Sequence, residues 1–318
     1  MTMASIPPID EDLVFICGAL RSGTTLLRLM VNGHGALDNP GEMDFLFEAP
    51  PLKDGAHDMA AFAKDLSLNR VFQSQGLIFT DGLGYQDQVR DFIRQLRKPG
   101  QRLSINVHRH FDRIPAIFPN ARYAHLLRDP RDAAKSALGM GWAGNVYHGV
   151  DHWINSERDF ERLEAQVSPE RIHVMKNEDL LRAPERELTR LCEFFGVAYD
   201  PAMLDYPSNS TYGPPDPELS EQWRRSFSER ELSLVEGKAS AMMKARGYEL
   251  SGAPLHVPGR LEREFIRADN RWKRLQFGLR RHGPALVALE FIVRRAPIPL
   301  LTGYVRRKRA ENDAKHLK

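Results

Sequence analysis

The sequence predicts an α/β fold with a parallel central sheet and a basic helical appendage, on three observations. Short apolar runs bounded by turn residues alternate with stretches of helical spacing along most of the chain. The first run, LVFICG (Leu13 to Gly18), passes through a glycine turn into TTLLRLMVNG, a helix ending near Gly33. The charge is also uneven. The chain has 318 residues and a net charge of +3, but residues 255–318 hold 16 Lys/Arg against 6 Asp/Glu, about +10, which leaves the body near −7.

The elements follow in order. RLSINV (Arg102 to Val107) is a second strand, and RYAHLLR (Arg122 to Arg128) a third with RDAAKSALGM behind it as a helix. RIHVMK (Arg171 to Lys176) is a fourth strand. The helix after it spaces Leu188, Leu191, Cys192 and Phe195 at helical intervals and stops at Gly196. Strand-then-helix repetition calls for parallel strands joined by crossover helices. Ligands of such sheets bind at the carboxyl ends of the strands, so the loops after Cys17, Val107 and Leu127 should converge on one edge. Tyr206 to Glu218 reads as a Pro/Ser/Asn-rich loop. Ser228 to Tyr248 reads as a helix opened by a Ser228/Glu231 capping box. SGAPLHVPG then breaks the pattern, so we read residues 1–254 as one domain and 255–318 as the extension.

Bulk properties limit the function. A net charge of +3 does not suit a nucleic-acid binder. The two cysteines, Cys17 and Cys192, fall in apolar and amphipathic patterns and read as buried free thiols of a reducing compartment. The N-terminus lacks the basic and apolar regions of a secretory leader, and no apolar run approaches about 18 residues. The expected location is therefore cytoplasmic. In the tail, Arg294 and Arg295 interrupt the apolar stretch, and Pro297 and Pro299 should end any helix there. That excludes a spanning helix. It leaves packing on the body, packing on a second subunit as a homodimer, or peripheral contact with the inner membrane surface.

The chemistry begins at FICGALRSGTTLLRLM (Phe15 to Met30). Gly18 and Gly23 have the spacing of a Walker loop, and Thr25 supplies its hydroxyl, but Thr24 stands where the lysine belongs. Backbone N–H groups at a glycine turn and helix start still make an anion site. Without the lysine, a ligand with one 5′-anion capped by a less charged group fits better than a nucleoside triphosphate.

This loop resembles the 5′-phosphosulfate loop of sulfotransferases that use 3′-phosphoadenosine 5′-phosphosulfate (PAPS) and release the bisphosphate PAP. RYAHLLRDPRDAAKSAL resembles the same family's 3′-phosphate motif, with Arg128 at a strand end and Ser136 eight residues on. NPGEMDFLFE, with Glu42 twenty-one residues after Arg21, resembles the catalytic turn of the tyrosylprotein and carbohydrate sulfotransferase branch. The resemblance covers roughly Leu13 to Leu250 and implies a P-loop-NTPase-like fold. It implies that Arg21, Ser22, Gly23, Thr24 and Thr25 hold the 5′-phosphosulfate, that Arg128 and Ser136 hold the 3′-phosphate, and that Ser210 and Thr211 close over the nucleotide. Where that family often carries a lysine, INVHRHF here has Asn106, with Arg109 or His108 as substitutes.

The implied reaction is in-line sulfuryl transfer to a hydroxyl on a sugar, glycolipid or small metabolite. Arg21 and Arg109 would stabilise charge, and Glu42 would be the base, tuned upward by burial. Asp44, Glu48 and His34 are rival bases. No metal is expected, since no His/Cys ligand cluster is spaced for one. Trp153 reads as a core residue. Two other readings remain at this level: a Mg²⁺-dependent P-loop phosphotransferase, and a nucleotide-binding protein without turnover.

Overall fold

The strand Val14–Cys17 (β1) is buried at every position. Its side chains alternate between two layers, as the two-residue period of a strand requires. Phe15 and Cys17 join one apolar cluster, while Val14 and Ile16 join another. The computed structural model describes residues 10, 12–53, 55–296 and 299–314. The chain divides into two compact units: one runs to Asp129 and from His152 to Gln222, the other from Pro130 to Asp151 and from Trp223 onward.

The first unit is built on a parallel five-stranded sheet. Leu37–Asp38 (β2), Arg102–Val107 (β3), Arg122–Leu127 (β4) and Ile172–Lys176 (β5) join β1 in the order β2-β3-β1-β4-β5. Helices cover the sheet, so its strands read as nearly continuous apolar runs. Cys17 lies level with Val107 and with His125. The loops after β1, β3 and β4 therefore open side by side at one sheet edge, as the sequence led us to expect. One face packs Phe15 against Phe47 and Phe118, with ring centroids 5.5 and 5.6 Å apart. The helix Tyr85–Leu96 covers this face with Val89, Phe92, Ile93 and Leu96.

The other face is covered by Thr24–Asn32 and by Pro184–Phe195, which buries Leu188, Leu191, Cys192 and Phe195. Pro184–Phe195 ends at Gly196, whose φ of 75° is the left-handed conformation glycine adopts at helix ends. Cys17 and Cys192 are free and buried, and desolvation raises the Cys192 thiol to about 11. Trp153 is buried in this unit. The strand β2 and a two-residue antiparallel pair, Leu52–Lys53 with Ala56–His57, were not anticipated.

The second unit is helical. Glu229–Ala245 carries the expected capping box at Ser228 and Glu231. A buried ion pair holds this helix to Pro130–Gly139: Arg131 Nη1 donates to Glu236 Oε1 at 2.7 Å, and its guanidinium lies 3.6 Å over the Trp223 ring. Ser251 donates to both Glu236 oxygens, so the carboxylate is well satisfied. The tail forms three helices, Arg260–His282, Pro284–Arg295 and Pro299–Ala314. Pro299 opens a helix rather than ending one, since a proline at the first helical turn forfeits no hydrogen bond. Pro297 and residues 1–9, read above for a leader, lie outside the described residues. Among the described residues, no helix is long and apolar enough to cross a membrane.

Candidate active site

The loop between β1 and the following helix is held tightly. Gly18 donates its N–H to Val107 at 3.2 Å, and a Cβ there would meet the Leu126 carbonyl at 2.8 Å. Gly23 precedes the helix at φ 93°, and a Cβ there would come within 2.2 Å of Asn177 Oδ1. Both positions therefore need glycine. Arg21 adopts φ 74°, a left-handed conformation that costs a non-glycine residue roughly 1 kcal/mol or more. The N–H groups opening the helix Thr24–Asn32 have no partner within the helix and face the loop. The Ser22 hydroxyl is buried and, among the described residues, has no hydrogen-bond partner.

Two arginines meet this loop. Arg128, at the end of β4, donates through Nη1 to the Arg21 carbonyl at 2.8 Å, while its buried Nε has no partner among the described residues. Arg21 is exposed by area, yet desolvation first and the charge of Arg128 second lower its guanidinium from its ordinary value. Two cations that meet beside a donor-rich loop suit bound anions. Behind Arg128, Glu178 Oε1 accepts from the Asp129 N–H at 2.8 Å, and burial raises its carboxyl. Tyr212 is electrostatically coupled to Arg21, which brings the Tyr206–Glu218 loop toward the same place. Ser210 accepts from the Tyr212 N–H at 3.2 Å, and Thr211 is exposed. Ser136 lies on Pro130–Gly139 in the second unit.

The turn that carries Glu42 is stitched to β3. Asn106 donates its N–H to Gly41 at 3.0 Å and accepts from the Met43 N–H at 2.9 Å, which places Glu42 beside it. The Asn106 side chain is fully buried and fully engaged: Nδ2 donates to the Thr24 carbonyl at 3.0 Å, and Oδ1 accepts from Asn39 at 2.9 Å. It clamps the loop helix. Glu42 itself is 48% exposed, so the burial expected of it is missing.

His108 occupies the centre of the cluster. Its Nε2 lies 3.1 Å from Thr24 Oγ1 and 3.9 Å from Glu42 Oε1. Its Nδ1 lies 3.1 Å from Asp44 Oδ2, and its N–H donates to Asp44 Oδ1 at 2.7 Å. Burial pushes the Asp44 carboxyl up, but these hydrogen bonds outweigh it and hold the group below its ordinary value. Asp44 thus orients the ring, with Nδ1 toward its carboxylate and Nε2 toward Thr24 and Glu42. Arg109 is ion-paired with Glu48 and half exposed. His34 bonds the Ala198 carbonyl at 2.8 Å, away from this cluster. The structure thus brings together Glu42, Asp44, Thr24 and His108, and separately Arg21 and Arg128. Sequence reading gave His108 only as a substitute and Asp44 only as a rival base, because their pairing joins residues 64 apart in the chain.

Comparison with known proteins gives a consistent picture. The profile of the sulfotransferase family matches residues 13–201. The sulfotransferase domain from the curacin biosynthetic pathway superposes with a TM-score of 0.52 at 22% identity, covering 74% of this chain and 98% of that one. The sulfotransferase domain of the Synechococcus PCC 7002 olefin synthase gives 0.51 at 25% identity, covering 71% and 94%. An uncharacterized protein of Aquifex aeolicus (strain VF5) is 23% identical over 206 residues, 61% of this chain. The aligned part is 26% of that relative, so the chain spans about a quarter of its length.

Proposed function

This chain belongs to the sulfotransferase family, and from that premise we propose that it moves a sulfuryl group from PAPS to an acceptor hydroxyl. The observation that carries the reading is the meeting of Arg21 and Arg128 at one glycine loop that has no lysine. The residues present suit this donor. Backbone N–H groups at the helix start, the unpartnered Ser22 hydroxyl, Thr24, Thr25 and Arg21 would hold the 5′-phosphosulfate. Arg128 would hold the 3′-phosphate, with a buried Nε to spare. Ser136, Ser210 and Thr211 keep the donor-binding parts that the resemblance implies. PAPS supplies an activated sulfuryl group whose leaving group is the bisphosphate PAP.

The chain's own residues position and neutralise. Glu42 takes the proton of the acceptor hydroxyl as the new O–S bond forms. His108, aimed by Asp44, stands between Glu42 and the Thr24 hydroxyl, where, protonated on both nitrogens, it would supply the positive charge expected of a lysine at Asn106. Arg109 serves from the rim through Glu48. The half-exposed Glu42 suits an acceptor that enters from solvent, such as a sugar, glycolipid or small metabolite hydroxyl. The NPGEM turn keeps the tyrosylprotein and carbohydrate branch as the best guide to the acceptor. Residues 1–254 then form the transferase domain and 255–318 its basic extension.

Transfer of ³⁵S from labelled PAPS to fractionated cell extract tests this directly. Glu42→Gln should lower transfer by about 10²–10⁴-fold while PAP binding stays unchanged. Equal transfer by the variant removes Glu42 as the base, and no labelled product with any fraction removes the activity.

A further inference from the structure

The helix Arg260–His282 buries none of its residues. Leu261, Phe265, Ala268, Trp272, Leu275 and Leu279 recur at steps of four and three and form one stripe. Leu261 is 78% exposed, Phe265 76% and Trp272 59%. The opposite side of the helix is anchored within the same unit. Asn270 Oδ1 accepts from the Gly144 N–H at 2.7 Å, the Ile266 carbonyl accepts from Asn145 at 2.9 Å, and the Phe277 ring packs on Gly141. The apolar stripe is therefore held outward by bonds on the far side.

Its charge says what covers it. At 3.6 residues per turn, Arg260, Arg267, Arg271 and Arg274 run along one flank of the stripe. Arg267 pairs with Glu264, but among the described residues Arg260, Arg271 and Arg274 have no carboxylate partner. A second copy of the helix would meet like charges. Parallel pairing sets Glu264 against the other copy's Asp269, and antiparallel pairing sets Arg271 against its own counterpart. An aromatic and leucine stripe flanked by arginines matches an anionic lipid surface instead. We propose that residues 260–282 dock this protein on an anionic bilayer, the stripe entering the headgroup boundary and the arginines binding lipid phosphates.

Co-sedimentation of the full chain with vesicles tests it. Vesicles of phosphatidylcholine and phosphatidylglycerol in equal parts should pellet the protein at low salt, and pure phosphatidylcholine should pellet far less. An arginine near an anionic surface contributes about fivefold, so Arg271→Gln with Arg274→Gln should weaken partitioning by about 25-fold. Leu261→Gln with Leu275→Gln should weaken it comparably. The tryptophan fluorescence change on adding vesicles should vanish in Trp272→Phe. These residues are exposed, so unchanged circular dichroism will show the variants folded. Equal pelleting by both vesicle types overturns the proposal, as does unaltered pelleting by the double-arginine variant. A dimer in light scattering that Leu261→Gln with Leu275→Gln dissolves also overturns it, in favour of self-association.

Discussion

The helices Thr24–Asn32 and Arg260–His282 each follow a glycine, and each carries an apolar stripe. The first buries Leu27, Met30 and Val31 against the sheet; the second buries nothing. A periodic stripe says that a helix has a face, but not what covers it. At Thr24–Asn32 the answer comes from strands distant in sequence, which also fix the preceding loop. At Arg260–His282 none of the described residues buries the stripe.

This contrast can be broken at several points. Leu27→Ala should cost about 2–5 kcal/mol in urea unfolding, because a fully buried leucine leaves a cavity. Gly23→Ala should cost about 2–4 kcal/mol, since it combines a left-handed backbone with a Cβ 2.2 Å from Asn177. His108→Asn should lower kcat about 10²-fold by removing the group between Thr24 and Glu42, with PAP affinity nearly intact.

Asp44→Asn sharpens the comparison through pH. Hydrogen bonds from His108 outweigh burial and depress the Asp44 carboxyl. A depressed acid stabilises the fold fully above its unfolded pKa of about 3.9, and that stability is lost as pH falls through the lower folded value. The variant should therefore lose about 1–2 kcal/mol at neutral pH and show a flatter acid limb in a pH series of melts. Leu261→Ala is the smallest effect. It should shift stability by no more than about 0.5 kcal/mol, the opposite of Leu27→Ala.

The sheet was readable because β1, β3 and β4 are buried almost throughout and so spell largely apolar runs, while the edge strand β5, with Val174 exposed, showed through its position before the next helix. The strand β2 and the Leu52–Lys53 pair have two residues each, too short to show a period. Arg21 and Arg128 were singled out by resemblance. Their mutual approach was not, because it depends on the β1–β4 register and the 107-residue separation it spans. Likewise, nothing local marks Asn106 as a clamp. Its role follows from Gly41, Met43, Asn39 and Thr24 arriving around it from elsewhere in the chain.

Calorimetry with PAP and with adenosine 5′-monophosphate probes the paired arginines most directly. The wild-type chain should bind PAP at least tenfold more tightly than the monophosphate, and Arg128→Lys should erase most of that preference, since a point charge replaces a planar fork. If PAP binds no better than the monophosphate, or Arg128→Lys leaves the preference whole, Arg128 does not hold a 3′-phosphate and the proposed donor site fails.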